Sequence, residues 1–131
     1  MLNELKKDPL IRFLLARCSV SEAQLDTILL SQSDDKLEVR ASKRDKGKVS
    51  TGSFMRTLRQ GQKNIESCLY TLILLEYLRL VKADDLEKIG RLGRLISEVK
   101  QSTPSQEAVT RLVQALESFI EGFSGRRKLI V

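Results

Sequence analysis

Apolar residues recur along most of this chain at three- and four-residue intervals with polar residues between them, the periodicity of helices that bury one side. A first helix is expected from about Asn3 to Arg17, broken near Pro9, because proline is tolerated only in a first turn or at a kink. A second begins at Ser21, where SEAQ offers an N-cap and an acidic first turn, and continues to about Ser31 with Leu25, Ile28 and Leu29 inward. The period then lapses over residues 32 to 48, QSDDKLEVRASKRDKGK. A solvated basic loop or arm is expected there, with a turn at Asp45 to Gly47 and the alternation of a short strand at Leu37, Val39 and Ala41.

Ser50 or Thr51 is placed to cap a third helix whose pattern continues as far as Val81, with Gly61 as a point where it can break. Its two halves differ. Up to Asn64 it is amphipathic and basic, whereas from Leu69 it is apolar round most of its circumference and is expected to form the buried centre of the fold. Ala83 to Asp85 start a fourth helix with Leu86, Ile89, Leu92, Ile96 and Val99 on one side. A fifth begins near Ser105, carries Val109, Leu112, Val113, Leu116, Ile120 and Phe123 at helical spacing, and ends by Gly122 or Gly125 before a short basic tail at 126–131.

Composition sharpens this picture. The chain has 131 residues, 41% of them hydrophobic, and is the size of one domain with one core. Aromatics make up 5%, tryptophan is absent and leucine dominates the apolar set, which favours helix packing over a sandwich of β-branched strands. The expected fold is all-α: about five helices around a long central one, in a single domain.

Charge is unevenly spread. The net charge is +6, but between Lys36 and Lys63 nine Lys or Arg face only Glu38 and Asp45, so this window alone carries +7. Such clustering suits an anionic polymer or surface. Projected at about 100° per residue, the segment KVSTGSFMRTLRQGQKN at 48–64 places Arg56, Arg59, Gln60 and Lys63 on one face, with Ser67 beyond. Phe54, Leu58, Ile65 and Leu69 fall on the other. One side looks inward, and the other offers hydrogen-bond donors and positive charge.

Within that window VSTGSFMRTL, residues 49–58, resembles the second half of the helix-turn-helix motif of transcriptional regulators, resolvases and sigma factors. Val49, Ser50, Phe54, Arg56 and Leu58 match its order: a Val-Ser pair closing the turn, the serine capping the recognition helix, then the apolar clamp, the arginine and the leucine. The resemblance covers the recognition-helix half only. Helix 21–31 is the candidate first helix, across an enlarged turn. It implies double-stranded DNA as partner, with the first turns of the helix in a major groove. Thr51, Ser53, Arg56, Thr57 and Gln60 then meet base edges or phosphates, Arg56 being the candidate for bidentate contact to guanine. Arg59 and Lys63 grip phosphate farther along, and Lys43, Arg44, Lys46 and Lys48 act as an arm on phosphates.

A second segment, IGRLGRLISEV at 89–99, resembles the core of KH RNA-binding domains, with Ile89, Gly90, Gly93, Ile96 and Val99 in the matching places. That resemblance implies RNA. The basic helix lacks the aromatic residues on which single-strand readers stack bases, so DNA is the preferred polymer. The other function class is a protein-interaction module whose basic loop is merely solvated.

Cys18 and Cys68 are too few for a disulfide framework and are expected to be small core residues. With no histidine, no Cys/His metal set is available and the usual catalytic base is missing. No enzyme activity, cofactor or metal is therefore expected. The N-terminal segment lacks a signal-peptide layout and LYTLILLEYLRLV at 69–81 is too short to span a bilayer, so a cytoplasmic, membrane-free setting is expected. The apolar stripe at 105–123 is either ordinary core or a homodimer surface.

Overall fold

The computed structural model describes residues 1–101 and 105–125, the side chains at 83 and 99–101 excepted. The tail at 126–131 lies outside them. Among the described residues all regular structure is helical, in seven helices: α1 (Leu2–Leu5), α2 (Pro9–Leu15), α3 (Glu22–Ser31), α4 (Leu37–Ser42), α5 (Thr51–Tyr77), α6 (Ala83–Gln101) and α7 (Gln106–Phe123). The all-α expectation holds, with a long helix in the middle of the chain. Internal contacts divide the chain into two compact units, Met1–Thr71 and Leu72–Val131.

In the first unit, local chemistry sets the helix starts. Pro9 occupies the first turn of α2 and Asp8 caps it by accepting from the Leu10 amide at 2.8 Å, so the proline begins a helix instead of kinking one. Ser21 and Gln24 form a reciprocal capping box at α3, as the SEAQ signature requires.

The segment expected to be loop or strand is helical: α4 occupies Leu37–Ser42. Leu37 and Ala41 are four residues apart, which puts them on one face of a strand but also one helical turn apart, and the helical option brings both into the cluster that holds Phe54. Leu30, Ala41 and Phe54 are buried together, with Leu37, Val49 and Met55 packed on them. The turn after α4 is closed by the Val49 amide donating to the Ala41 carbonyl at 3.1 Å. Gly47 takes φ +111° there, a conformation that disfavours any side chain.

The inward side of α3 also differs from expectation. Leu25, Ile28 and Leu29 are only half-buried, and the deepest positions are Asp26, Thr27 and Leu30. Thr27 satisfies its hydroxyl on the Ala23 carbonyl. Asp26 is held by Arg44, as described below.

Gly61 does not break α5. It is buried, and a Cβ there would lie 3.0 Å from Ile28 Cδ1 and 3.1 Å from Gln24 Cβ. The glycine is a point of close approach between α3 and α5. One turn on, Asn64 Nδ2 donates to the Ser19 carbonyl and to Gln24 Oε1, both at 3.0 Å. Cys68 Sγ then lies 3.0 Å from Ser19 Oγ. Both cysteines are exposed, which corrects their assignment to the core; each makes polar contacts instead, Cys18 to the carbonyls of Leu15 and Val20.

The larger correction concerns the second half of α5. The residues expected at the buried centre, Leu69, Tyr70, Ile73, Leu74 and Tyr77, are exposed, as are Leu78 and Leu80 beyond them. Helix α5 also stops at Tyr77, short of Val81. Its end is a Schellman arrangement, in which the Leu80 amide reaches the Leu75 carbonyl and the Arg79 amide the Glu76 carbonyl, with Arg79 left-handed at φ 59°.

In the second unit, Val81 and Leu116 are buried. Leu86, Ile89, Leu92 and Ile96 of α6 and Val109, Leu112, Val113 and Phe123 of α7 are half-buried, while Ile120 is exposed. Most of the α7 stripe is thus partly covered. Ser105 caps α7 through the Ala108 amide at 3.2 Å. Gly90 and Gly93 lie inside continuous helix α6, where a Cβ on Gly93 would meet nothing within 4 Å. The loop that a KH core places at its GxxG is absent at these residues.

Candidate nucleic-acid interface

From Lys46 to Ile65 the sequence contains no carboxylate and five cations: Lys46, Lys48, Arg56, Arg59 and Lys63. The fold presents them from a rigid base. Ser50 Oγ accepts from the Ser53 amide at 3.1 Å, capping α5 at its third amide, a contact worth about 1 kcal/mol. Phe54 is 0% exposed and clamps the first turn onto Leu30 and Ala41.

With Phe54 inward, Gly52, Arg56, Arg59, Gln60 and Lys63 turn outward and line one open concavity along the helix. Spaced at three and four residues, they form a continuous strip. Arg56, Arg59, Gln60 and Lys63 are exposed. Among the described residues none of these three cations, nor Lys46 or Lys48, has an ion-pair partner. The strip therefore combines unneutralised positive charge, one amide side chain and a glycine that permits close approach near a helix N-terminus, where orphan amides and the helix dipole favour anions.

The other candidate residues divide into those beside the strip and those engaged elsewhere. Lys46 and Lys48 are exposed in the turn before the helix. Thr51, Ser53 and Thr57 are half-buried, and Ser50 is committed to the cap. Lys43 reaches back to Asp35 Oδ2 at 2.8 Å, and this hydrogen bond holds the Asp35 carboxyl below the usual carboxylate range.

Arg44 differs most from an arm residue. Its side chain is 8% exposed, and Nε lies 3.3 Å from Oδ2 of Asp26, which is 4% exposed. The same Asp26 oxygen accepts from the Asp45 amide at 3.0 Å. Asp45 in turn accepts from the Met1 amino group at 2.9 Å and the Asn3 amide at 2.7 Å; the Met1 contact is the main reason that its carboxyl lies below the usual range. Arg44 thus fixes the turn that precedes α5 instead of extending from it. A cavity of about 20 Å³ adjoins the pair, room for one water beside Asp26 Oδ1, which has no hydrogen-bond partner.

Sequence reasoning missed two contributors. Gly52 joins the strip because it shares a helix face with Arg56, Arg59 and Lys63, and the i, i+4, i+7, i+11 spacing contains that information. Asp26 is the anchor of Arg44, and no local signal pairs residues so far apart in sequence.

Among the described residues no group of three or more Cys, Asp or Glu is placed to hold a metal ion, and no helix is long and apolar enough to cross a membrane. No family model, curated protein or solved structure matches this chain.

Proposed function

We propose that this chain is a small DNA-binding protein, a transcriptional regulator or chromatin-associated factor, that lays the first turns of α5 in a major groove. The observation that carries the reading is the strip Gly52, Arg56, Arg59, Gln60 and Lys63, acid-free and set on a capped helix whose opposite side is clamped by Phe54. The resemblance of residues 49–58 to a recognition helix agrees with it, and α4 provides a short helix just before the turn. Arg56 is the base reader and Gln60 its neighbour. Arg59 and Lys63, with Lys46 and Lys48 before the helix, neutralise phosphates. Arg44 has no part in the contact surface, and Lys43 takes part only by leaving Asp35. RNA is the weaker reading, because Gly90 and Gly93 lie in a helix and α5 offers no ring to its strip.

The test is Arg56→Ala measured on a sequence selected for tight binding and on random duplex. A bidentate arginine–guanine contact is worth about 1 to 3 kcal/mol of discrimination, so the selected site should lose that amount and random DNA much less. Equal, small losses on both would mean that Arg56 reads no base. Tighter binding to single-stranded RNA than to any duplex would favour the RNA reading.

A further inference from the structure

We infer that a second copy of this chain covers the exposed apolar stretch at the C-terminal end of α5, making the protein a two-fold homodimer. Leu69, Tyr70, Ile73, Leu74, Tyr77 and Leu78 are 53 to 81% exposed. They present on the order of 800 Å² from a single stretch of chain, more than the largest apolar patch on a typical monomer and comparable to what each partner of a standard interface contributes. The pairing clears the minimum for a specific interface even if a third of that surface stays in water.

A second copy fits as the occupant for two reasons. Among the described residues each chain carries one such stretch, so an isologous contact covers both copies at once, as in most soluble oligomers. The nine residues Ser67 to Leu75 carry no charge at all, so two copies meet there without opposing like charges, whereas contact through the +7 window would repel. Tyr70 and Tyr77 supply ring area with hydroxyls that stay near water, the residue type enriched at interface centres. The α7 stripe is a poorer surface, because Leu116 is buried and Val109, Leu112, Val113 and Phe123 are already half-buried.

Sedimentation equilibrium of the full chain tests this, with Ile73→Glu, Tyr77→Glu and Ile120→Glu alongside. The wild type should be dimeric with a dissociation constant in the micromolar range or below. Ile73→Glu and Tyr77→Glu should each raise that constant roughly 100-fold or more, since a carboxylate would be buried without a partner. Ile120→Glu should leave it within about threefold. Far-UV circular dichroism, recorded below the wild-type dissociation constant, should show unchanged helix content for Tyr77→Glu, whose ring is 81% exposed and not needed by the monomer fold. A wild type that stays monomeric up to about 100 μM, or a dimer broken by Ile120→Glu and not by either α5 variant, would overturn the inference.

Discussion

Replacing Phe54 by alanine should lower the free energy of unfolding by about 3 to 5 kcal/mol, the usual cost of removing a fully buried aromatic ring. The ring is wholly inaccessible and forms one cluster with Leu30 and Ala41, so its loss leaves a cavity between α3, α4 and the first turn of α5. The six-residue α4 has little helical stability of its own. Deleting the ring that shares a cluster with its Ala41 should therefore loosen the approach to the basic strip. Against a typical total of about 5 to 15 kcal/mol the loss is large, and urea denaturation followed by circular dichroism measures it directly. DNA affinity should fall as well, although Phe54 faces away from the strip, because the helix would no longer be held in one orientation. A variant with less than about 1 kcal/mol of destabilisation would contradict this account of the clamp.

The second large effect is expected at Asp26. Its alanine variant strands the Arg44 guanidinium in a site where it is 8% exposed, and breaking one side of a buried pair costs about 3 to 5 kcal/mol. It also removes the acceptor of the Asp45 amide. The pair itself need not be strongly stabilising, since both charges lost their hydration to form it. The double variant Asp26→Leu with Arg44→Met should therefore recover most of what Asp26→Ala loses. Equilibrium unfolding of the two variants separates an uncompensated charge from a merely absent contact. If Asp26→Ala is as stable as the double variant, Arg44 finds water on its own and the pair does not anchor the turn.

The parts of the fold written in local chemistry were legible in the sequence. Asp8–Pro9, SEAQ, Ser50 and Ser105 mark helix starts where the caps are found, because a side chain that caps needs only its next three residues. The parts decided by distant partners were not legible. Leu37, Val39 and Ala41 fit a strand and a helix equally well, and the packing of Leu37 and Ala41 into the cluster with Leu30 and Phe54 selects the helix. Gly61 reads as a breaker, yet its missing side chain serves α3. Arg44 looks like any cation of a basic run until Asp26 is brought beside it. Hydropathy marks Leu69 to Tyr77 as interior, but Leu69, Tyr70, Ile73, Leu74 and Tyr77 are exposed, because hydropathy records that a helix is apolar and contains no information about which surface covers it. The outward strip was legible in part: Arg56, Arg59, Gln60 and Lys63 share a face by spacing alone, and that face depends only on which side Phe54 takes.

The most direct test of the DNA-binding reading is the affinity for random duplex DNA across a salt series, measured for the wild type and for a variant with Lys46, Lys48, Arg59 and Lys63 all replaced by alanine. These exposed cations have no ion-pair partner among the described residues, so the fold should survive their loss. Each phosphate contact removed should flatten the slope of log affinity against log salt by roughly 0.9, or between 3 and 4 for all four. A slope that does not change, or a wild type that fails to bind duplex at low salt, would contradict the proposal that this face grips DNA.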